Sequence, residues 1–215
     1  MAGTPPSQAA KHSSWTYAEQ HAEEDAAIAQ ARLRADDLGV ESVSPGTGAA
    51  LSALAAGTGA RAIVEIGTGA GVSGVFLLRG APEAVLTSLD PMPDHLAAAR
   101  QSFRESGIPS SHTRLISGYA QQVLPRLTRG GYDLVFVDAE PEEAEFYAEE
   151  GIRLLRRGGT LVINDALDRD RVPKPAVREA RTQAMRAVER RLKNDDDLTT
   201  ALLPTGTGLL LAVKR

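Results

Sequence analysis

The chain has 215 residues, a formal net charge of −4 and no cysteine. Apolar residues make up 42% and charged residues 24%, so a globular core can form and a wholly disordered chain is excluded. The absence of cysteine removes disulfides, thiolate metal sites and a Cys nucleophile, and the acidic balance argues against a nucleic-acid partner.

Residues 1–14 hold Pro, Ser, Gly and Gln without an apolar h-region, and they read as a disordered tail rather than a secretory signal. No apolar stretch approaches the roughly 18 residues of a membrane span. A cytoplasmic chain with one domain over 15–215 is expected. Trp15 to about Asp36 reads as one polar, Ala-rich helix. Ser44-Pro45 fits an N-cap followed by Pro at the first helical position, opening a helix to about Ala56. A regular alternation follows. Strands are expected at 61–66, 84–89, 113–117, 132–137 and 160–163. Helices are expected between them at 71–79, 93–106, 119–128 and 142–156, the last stopped by Gly158-Gly159. Such spacing implies a parallel sheet covered by helices on both faces. A long helix over about 174–193 then leads to apolar runs at 198–203 and 209–213. The short Pro204–Gly208 link makes those two runs an antiparallel hairpin. The fold class is therefore α/β, a doubly wound, mostly parallel, seven-stranded sheet with an antiparallel C-terminal hairpin.

Glu65-Ile66-Gly67-Thr68-Gly69-Ala70-Gly71 falls at the carboxyl end of the first strand, where open α/β sheets bind ligands. The dinucleotide fingerprint would need Gly at 72, where Val72 stands. An acid at Glu65 suits a cationic amino or sulfonium group better than a pyrophosphate. Asp90 ends the second strand about 20 residues on, where an acid can accept both ribose hydroxyls. Together they indicate an adenosine-containing cofactor.

With these residues in hand, the sequence resembles the class I S-adenosylmethionine (SAM)-dependent methyltransferases, in particular the catechol O-methyltransferase-like group and its actinobacterial members. The resemblance covers about 15–215. It is carried by V-S-P-G-T-G (43–48), V-E-I-G-T-G-A-G-V-S (64–73), L-D-P (89–91), L-I-S-G-Y-A (115–120), Y-D-L-V-F-V-D-A (132–139), L-L-R-R-G-G (154–159) and L-L-P-T-G-T-G-L (202–209). It implies a Rossmann-like sheet whose last strand is antiparallel, a homodimer and a small hydroxylated, aromatic acceptor. It also implies contacts to SAM. Thr47 would touch the methionine end through its backbone. Glu65 would bind the amino group, with Gly67, Thr68 and Ser73 around it. Asp90 would take the ribose diol beside Pro91, and Ala120 would present its N–H to adenine. Asp138 would stand beside the reacting methyl as the catalytic residue.

The metal-dependent members hold Mg²⁺ or Ca²⁺ on the acid ending the fourth strand and an Asp-Asn pair ending the fifth. Here Asp138 is present and the pair reads Asn164-Asp165, reversed but equal in charge, so Asp138, Asn164 and Asp165 form the candidate cation set. The family's Lys after the fourth strand is replaced in Asp138-Ala139-Glu140-Pro141, which leaves the general base unassigned, with Asp165 or a metal-activated substrate as the alternatives. These departures keep open a SAM-binding protein that has lost turnover. An NAD-dependent oxidoreductase is a more distant alternative, opposed by the loop spacing and the terminal hairpin. The histidines, His95 among them, are expected at surface or packing positions. The Arg-rich stretch 169–193 reads as a solvated or dimer-contacting face.

Overall fold

A computed structural model describes residues 8–215. Helix α1 (Gln8–Gln20) comes first, followed by α2 (Ala26–Asp37). The single helix expected from Trp15 to Asp36 is thus two, and residues 8–14 of the expected tail lie in α1; residues 1–7 lie outside the described residues. The break has a local cause. Asp25 adopts an extended conformation and its Oδ1 accepts the Ile28 N–H at 3.1 Å, a cap that starts α2 afresh. Ser44 caps α3 (Pro45–Gly57) as expected, its Oγ accepting the Thr47 N–H at 3.1 Å.

The alternation then runs β1 (Ala62–Ile66), α4 (Val72–Gly80), β2 (Val85–Asp90), α5 (Pro93–Glu105), β3 (Thr113–Ser117), α6 (Ala120–Val123), β4 (Tyr132–Val137), α7 (Ala144–Leu154), β5 (Leu155–Ile163), α8 (Ala180–Lys193), β6 (Leu198–Leu203) and β7 (Leu209–Lys214). The sheet order is β3-β2-β1-β4-β5-β7-β6. The first five strands are mutually parallel, and β7 runs antiparallel to both β5 and β6. This is the seven-stranded architecture expected, with β7 inserted between β5 and the outermost β6.

Period-two alternation divides the strands between two cores. Ile63, Leu134 and Phe136 pack with Leu51, Phe76, Leu77 and Phe103 on one face. Val64, Ile66, Val135 and Val137 pack with Tyr147, Leu154, Val188 and Leu192 on the other. Phe136 is fully buried between central strands, a position where truncation to Ala costs about 3–5 kcal/mol.

Three boundaries differ from the sequence reading. Gly158-Gly159 does not stop α7; both lie inside β5, whose register against β4 jumps from Tyr132↔Leu155 to Leu134↔Thr160, with Gly158 at φ +76°. The helix expected at 119–128 is one short turn, α6, continued as a 3-10 turn at Leu124–Arg126. Helix α8 begins at Ala180 rather than 174. The preceding segment is a series of turns in which Asp165, Asp168, Arg169 and Asp170 all have positive φ.

Glu19 on α1 fastens that helix to distant parts of the chain. Its Oε1 accepts the Gly206 N–H at 2.7 Å and the Thr205 hydroxyl at 3.0 Å, and its Oε2 accepts the Gly46 N–H at 3.0 Å. Burial alone would raise its pKa, but donors from Ser44, Gly206, Thr205 and Gly46 outweigh that and hold it below the ordinary value.

Candidate active site

A cavity of about 520 Å³ opens over the carboxyl ends of β1, β2, β3 and β4. That is the crevice beside the point where the strand order reverses, and its size suits a cofactor-sized ligand. Of the nine positions expected around SAM, Gly67, Thr68, Ser73, Asp90, Pro91, Ala120 and Asp138 line it; Thr47 and Glu65 do not.

The loop after β1 is forced to be glycine-rich. Gly67 has φ +92°, and a Cβ there would stand 2.0 Å from the Asp138 carbonyl oxygen, so loop and β4 backbone meet too closely for any side chain. Asp90 anchors this loop. Its Oδ2 accepts the N–H groups of Thr68 (3.2 Å) and Gly69 (3.0 Å), and its Oδ1 accepts the Met92 N–H (2.9 Å). His95 Nδ1 lies 3.1 Å from both oxygens and also faces the cavity. Sequence reasoning placed His95 outside the site. The signal was available: Pro93 opens α5, which brings residue 95 back toward the strand end at Asp90.

Glu65 lies one layer beneath. It is fully buried, accepting Ser73 Oγ at 2.7 Å and Ser88 Oγ at 2.5 Å, with Thr68 Oγ1 a further 2.6 Å from Ser88 Oγ. Burial pushes its pKa up to about 7 despite the Ser88 and Ser73 donors, with the charges of Asp138 and Asp90 adding to the rise. Ser73, not Glu65, presents the surface of this pair to the cavity. Thr47 is buried, and its N–H donates to Ser44 Oγ in the cap of α3.

Asp138 ends β4 at the other side of the loop. Its Oδ1 accepts Asn164 Nδ2 at 2.9 Å, while Oδ2 has no hydrogen-bond donor among the described residues. Burial pushes its pKa up to about 6, the Asn164 bond lowers it, and the charges of Asp165 and Glu41 raise it further.

The expected cation set is not assembled. Asp165 takes a left-handed backbone, φ +54°, and its Oδ2 accepts Arg181 Nη2 at 2.7 Å. Arg181 Nε also donates to Asp168 Oδ1 at 2.8 Å, and the Thr182 hydroxyl donates to the other oxygen of that fully buried Asp168. The Asp165 carboxylate is therefore drawn to a guanidinium on α8, while Asn164 turns its amide N–H to Asp138. Among the described residues no three His, Cys, Asp or Glu side chains are placed to hold a metal ion. As placed, Asn164 presents its amide N–H rather than its carbonyl oxygen to Asp138, and Asp165 gives one oxygen to Arg181 while Oδ1 stays buried without a partner among the described residues, so the three do not converge as an oxygen ligand set in this arrangement.

A family model described as O-methyltransferase matches residues 19–215. The chain belongs to the O-methyltransferase family. A Mycobacterium ulcerans relative named as an O-methyltransferase is 50% identical over 199 residues, 92% of this chain and 89% of that protein. A Mycobacterium tuberculosis relative of the same description is 46% identical over the whole of both chains. Among solved structures, a Corynebacterium glutamicum protein superposes with a TM-score of 0.87 at 33% identity, over 95% of this chain and 97% of that one. The Streptomyces achromogenes O-methyltransferase TomG, solved with SAM, gives 0.84 at 28% identity over 94% and 96%. This O-methyltransferase has no helix among its described residues long and apolar enough to cross a membrane.

Proposed function

We propose that this O-methyltransferase moves the methyl group of SAM to a hydroxyl of a small, aromatic acceptor, with Asp138 receiving the hydroxyl proton. The observation that carries the reading is the Gly67–Gly71 loop, tied by Asp90 to the rim of a cavity that Asp138 also lines. When bound, SAM supplies an electrophilic methyl on a sulfonium. The chain's residues do the rest. The tight Gly67 turn lets backbone approach the cofactor, Ser73 offers a hydroxyl to its amino-acid end, and Asp90 with His95 stands where the ribose hydroxyls would bind. Asp138 Oδ2 takes the proton as the C–O bond forms and the C–S bond breaks. A base held near 6 is mostly ionised at neutral pH and still basic enough to assist a concerted transfer. Holding the two reactants in line supplies the larger part of the rate. No step here passes through a divalent cation.

This reading restores a base where the family Lys is replaced, and so favours turnover over a SAM-binding protein that has lost it. Calorimetry with SAM, its demethylated product SAH, and NAD tests the cofactor. Binding of the first two and not NAD is expected, whereas tight NAD binding would sink the proposal. We further propose a homodimer, supported by the family resemblance and by the exposed Leu202 and Leu203 on edge strand β6; sedimentation of the purified protein tests it.

A further inference from the structure

Asp90, the acid at the ribose position, is already fully subscribed by the protein. Its Oδ2 accepts the Thr68 and Gly69 N–H groups, its Oδ1 accepts the Met92 N–H, and His95 Nδ1 lies 3.1 Å from each oxygen. A carboxylate offers about four acceptor positions, and here four donors converge on them. Because a carboxylate only accepts, His95 Nδ1 carries the hydrogen in this contact. Asp90 is buried, so a donor lost without replacement would leave an unsatisfied acceptor.

The four donors differ in their freedom to move. Thr68 and Gly69 belong to the glycine loop, whose Gly67 N–H is fastened to the Leu89 carbonyl at 2.9 Å and whose backbone is wedged against the Asp138 carbonyl. Met92 is the N-cap of α5, and its N–H belongs to the backbone entering that helix. The His95 ring makes no other hydrogen bond among the described residues. It stands on the first turn of α5, lines the cavity and leaves 21% of its side chain exposed, so rotation to another staggered χ1 takes it off Asp90. Its placement matters as much as its freedom. A ribose diol meets a carboxylate by giving one hydroxyl to each oxygen, and a nitrogen equidistant from the two oxygens straddles the carboxylate in the same way.

We propose that His95 is an internal competitor of the cofactor's ribose: it holds Asp90 through Nδ1 and is exchanged for the diol hydroxyls when SAM or SAH binds. The exchange keeps a buried carboxylate supplied with donors before and after binding. It also sets cofactor affinity below what Asp90 alone would give, which eases release of the product SAH. The inference rests on reading the cavity as the SAM site and adds to it a side chain that must leave.

Calorimetry on the full-length protein tests this, with SAH and its 2′-deoxy and 3′-deoxy analogues titrated into the native chain, His95→Ala and His95→Gln. His95→Ala should bind SAH about tenfold more tightly than the native protein, the lower end of what a hydrogen bond to a charged group contributes. His95→Gln keeps a side-chain N–H and should stay within about threefold of native. Loss of one ribose hydroxyl should cost the native protein about threefold or less, because His95 returns to the freed oxygen, and should cost His95→Ala about tenfold or more. The analogues are compared within each protein, so an altered stability of the variant does not enter. Equal or weaker SAH binding by His95→Ala would overturn the inference, since it marks a histidine that binds the ribose itself or only steadies α5. Deoxy analogues that lose more affinity in the native protein than in His95→Ala would do the same, as would a tightening in His95→Gln equal to that in His95→Ala, which would trace the effect to the bulk of the ring. Failure of the native protein to bind SAH at all would instead refute the parent reading of the cavity.

Discussion

Glu65→Gln isolates the cost of keeping a carboxylate beneath the glycine loop. The native residue is fully buried, and its pKa stands at about 7 in the fold against an ordinary 4.5. A folded-state value above the unfolded one means that the native protein holds the proton more tightly. The resulting stability is fully present below about pH 4.5 and is lost as pH rises through 7. At roughly 1.4 kcal/mol per tenfold change, the separation corresponds to about 3 kcal/mol. Glutamine copies the protonated acid, with one oxygen to accept from Ser73 and one N–H to donate to Ser88, whose hydroxyl then turns to Thr68. The variant should therefore match the native protein near pH 4.5 and exceed it by about 3 kcal/mol at pH 8. Urea unfolding at a series of pH values measures this. Asp138 titrates in both proteins and subtracts out except for its coupling to Glu65, whose pKa its charge helps to raise. A difference between variant and native protein that stays constant from pH 4.5 to 8 would refute the reasoning.

Gly67→Ala places a methyl 2.0 Å from the Asp138 carbonyl at a positive φ, and should lower the melting temperature by roughly 10 °C in a thermal scan, with loss of SAM binding. Asp90→Ala removes the acceptor of three backbone N–H groups as well as the partner of His95, and calorimetry should show SAM binding weaker by about 1.5–3 kcal/mol. Arg181→Met leaves Asp168 buried without its counter-charge and should cost about 3 kcal/mol in denaturant unfolding; a cost below about 1 kcal/mol would show that the pair does not hold the segment after β5. Because Arg181 already answers Asp165, millimolar Mg²⁺ or EDTA should leave the melting temperature of the native protein unmoved, and a clear rise with Mg²⁺ would reinstate a cation at Asp138 and Asp165.

The sheet was readable because each strand is a short apolar run ending in an informative residue: Gly67 after β1, Asp90 closing β2, Asp138 after β4. The hairpin was readable because Pro204–Gly208 is too short for a crossover. What escaped depends on where side chains turn. The Ser44 cap on the Thr47 N–H is local and legible at Ser44-Pro45, but that Asp165 adopts a left-handed backbone and faces α8 is decided by its tertiary partner Arg181, which no local pattern names. The same holds for Glu65: sequence places it at the loop, while only packing shows Ser73 in front of it. The break between α1 and α2 was local and legible in hindsight, since Asp25 precedes a clean helical run by one residue. The glycine pair at 158–159 misled because a helix stop and a strand irregularity carry the same residue signature.

The order of strands also makes the edge of β5 depend on the terminal hairpin. β6 touches the sheet only through β7, and β7 alone covers the outer edge of β5. A chain in which β1 to β5 have already paired still presents Thr160–Ile163 as an open, apolar row of unpaired backbone groups until the hairpin docks. That intermediate is a template for pairing with other chains. A proline at Leu211, which pairs with Val162 on one side and Ala201 on the other, would detach two strands at once and leave that edge permanently bare. Aggregation rather than reversible unfolding is the expected fate of such a variant. The terminal hairpin thus acts as a gatekeeper of solubility as well as a part of the fold.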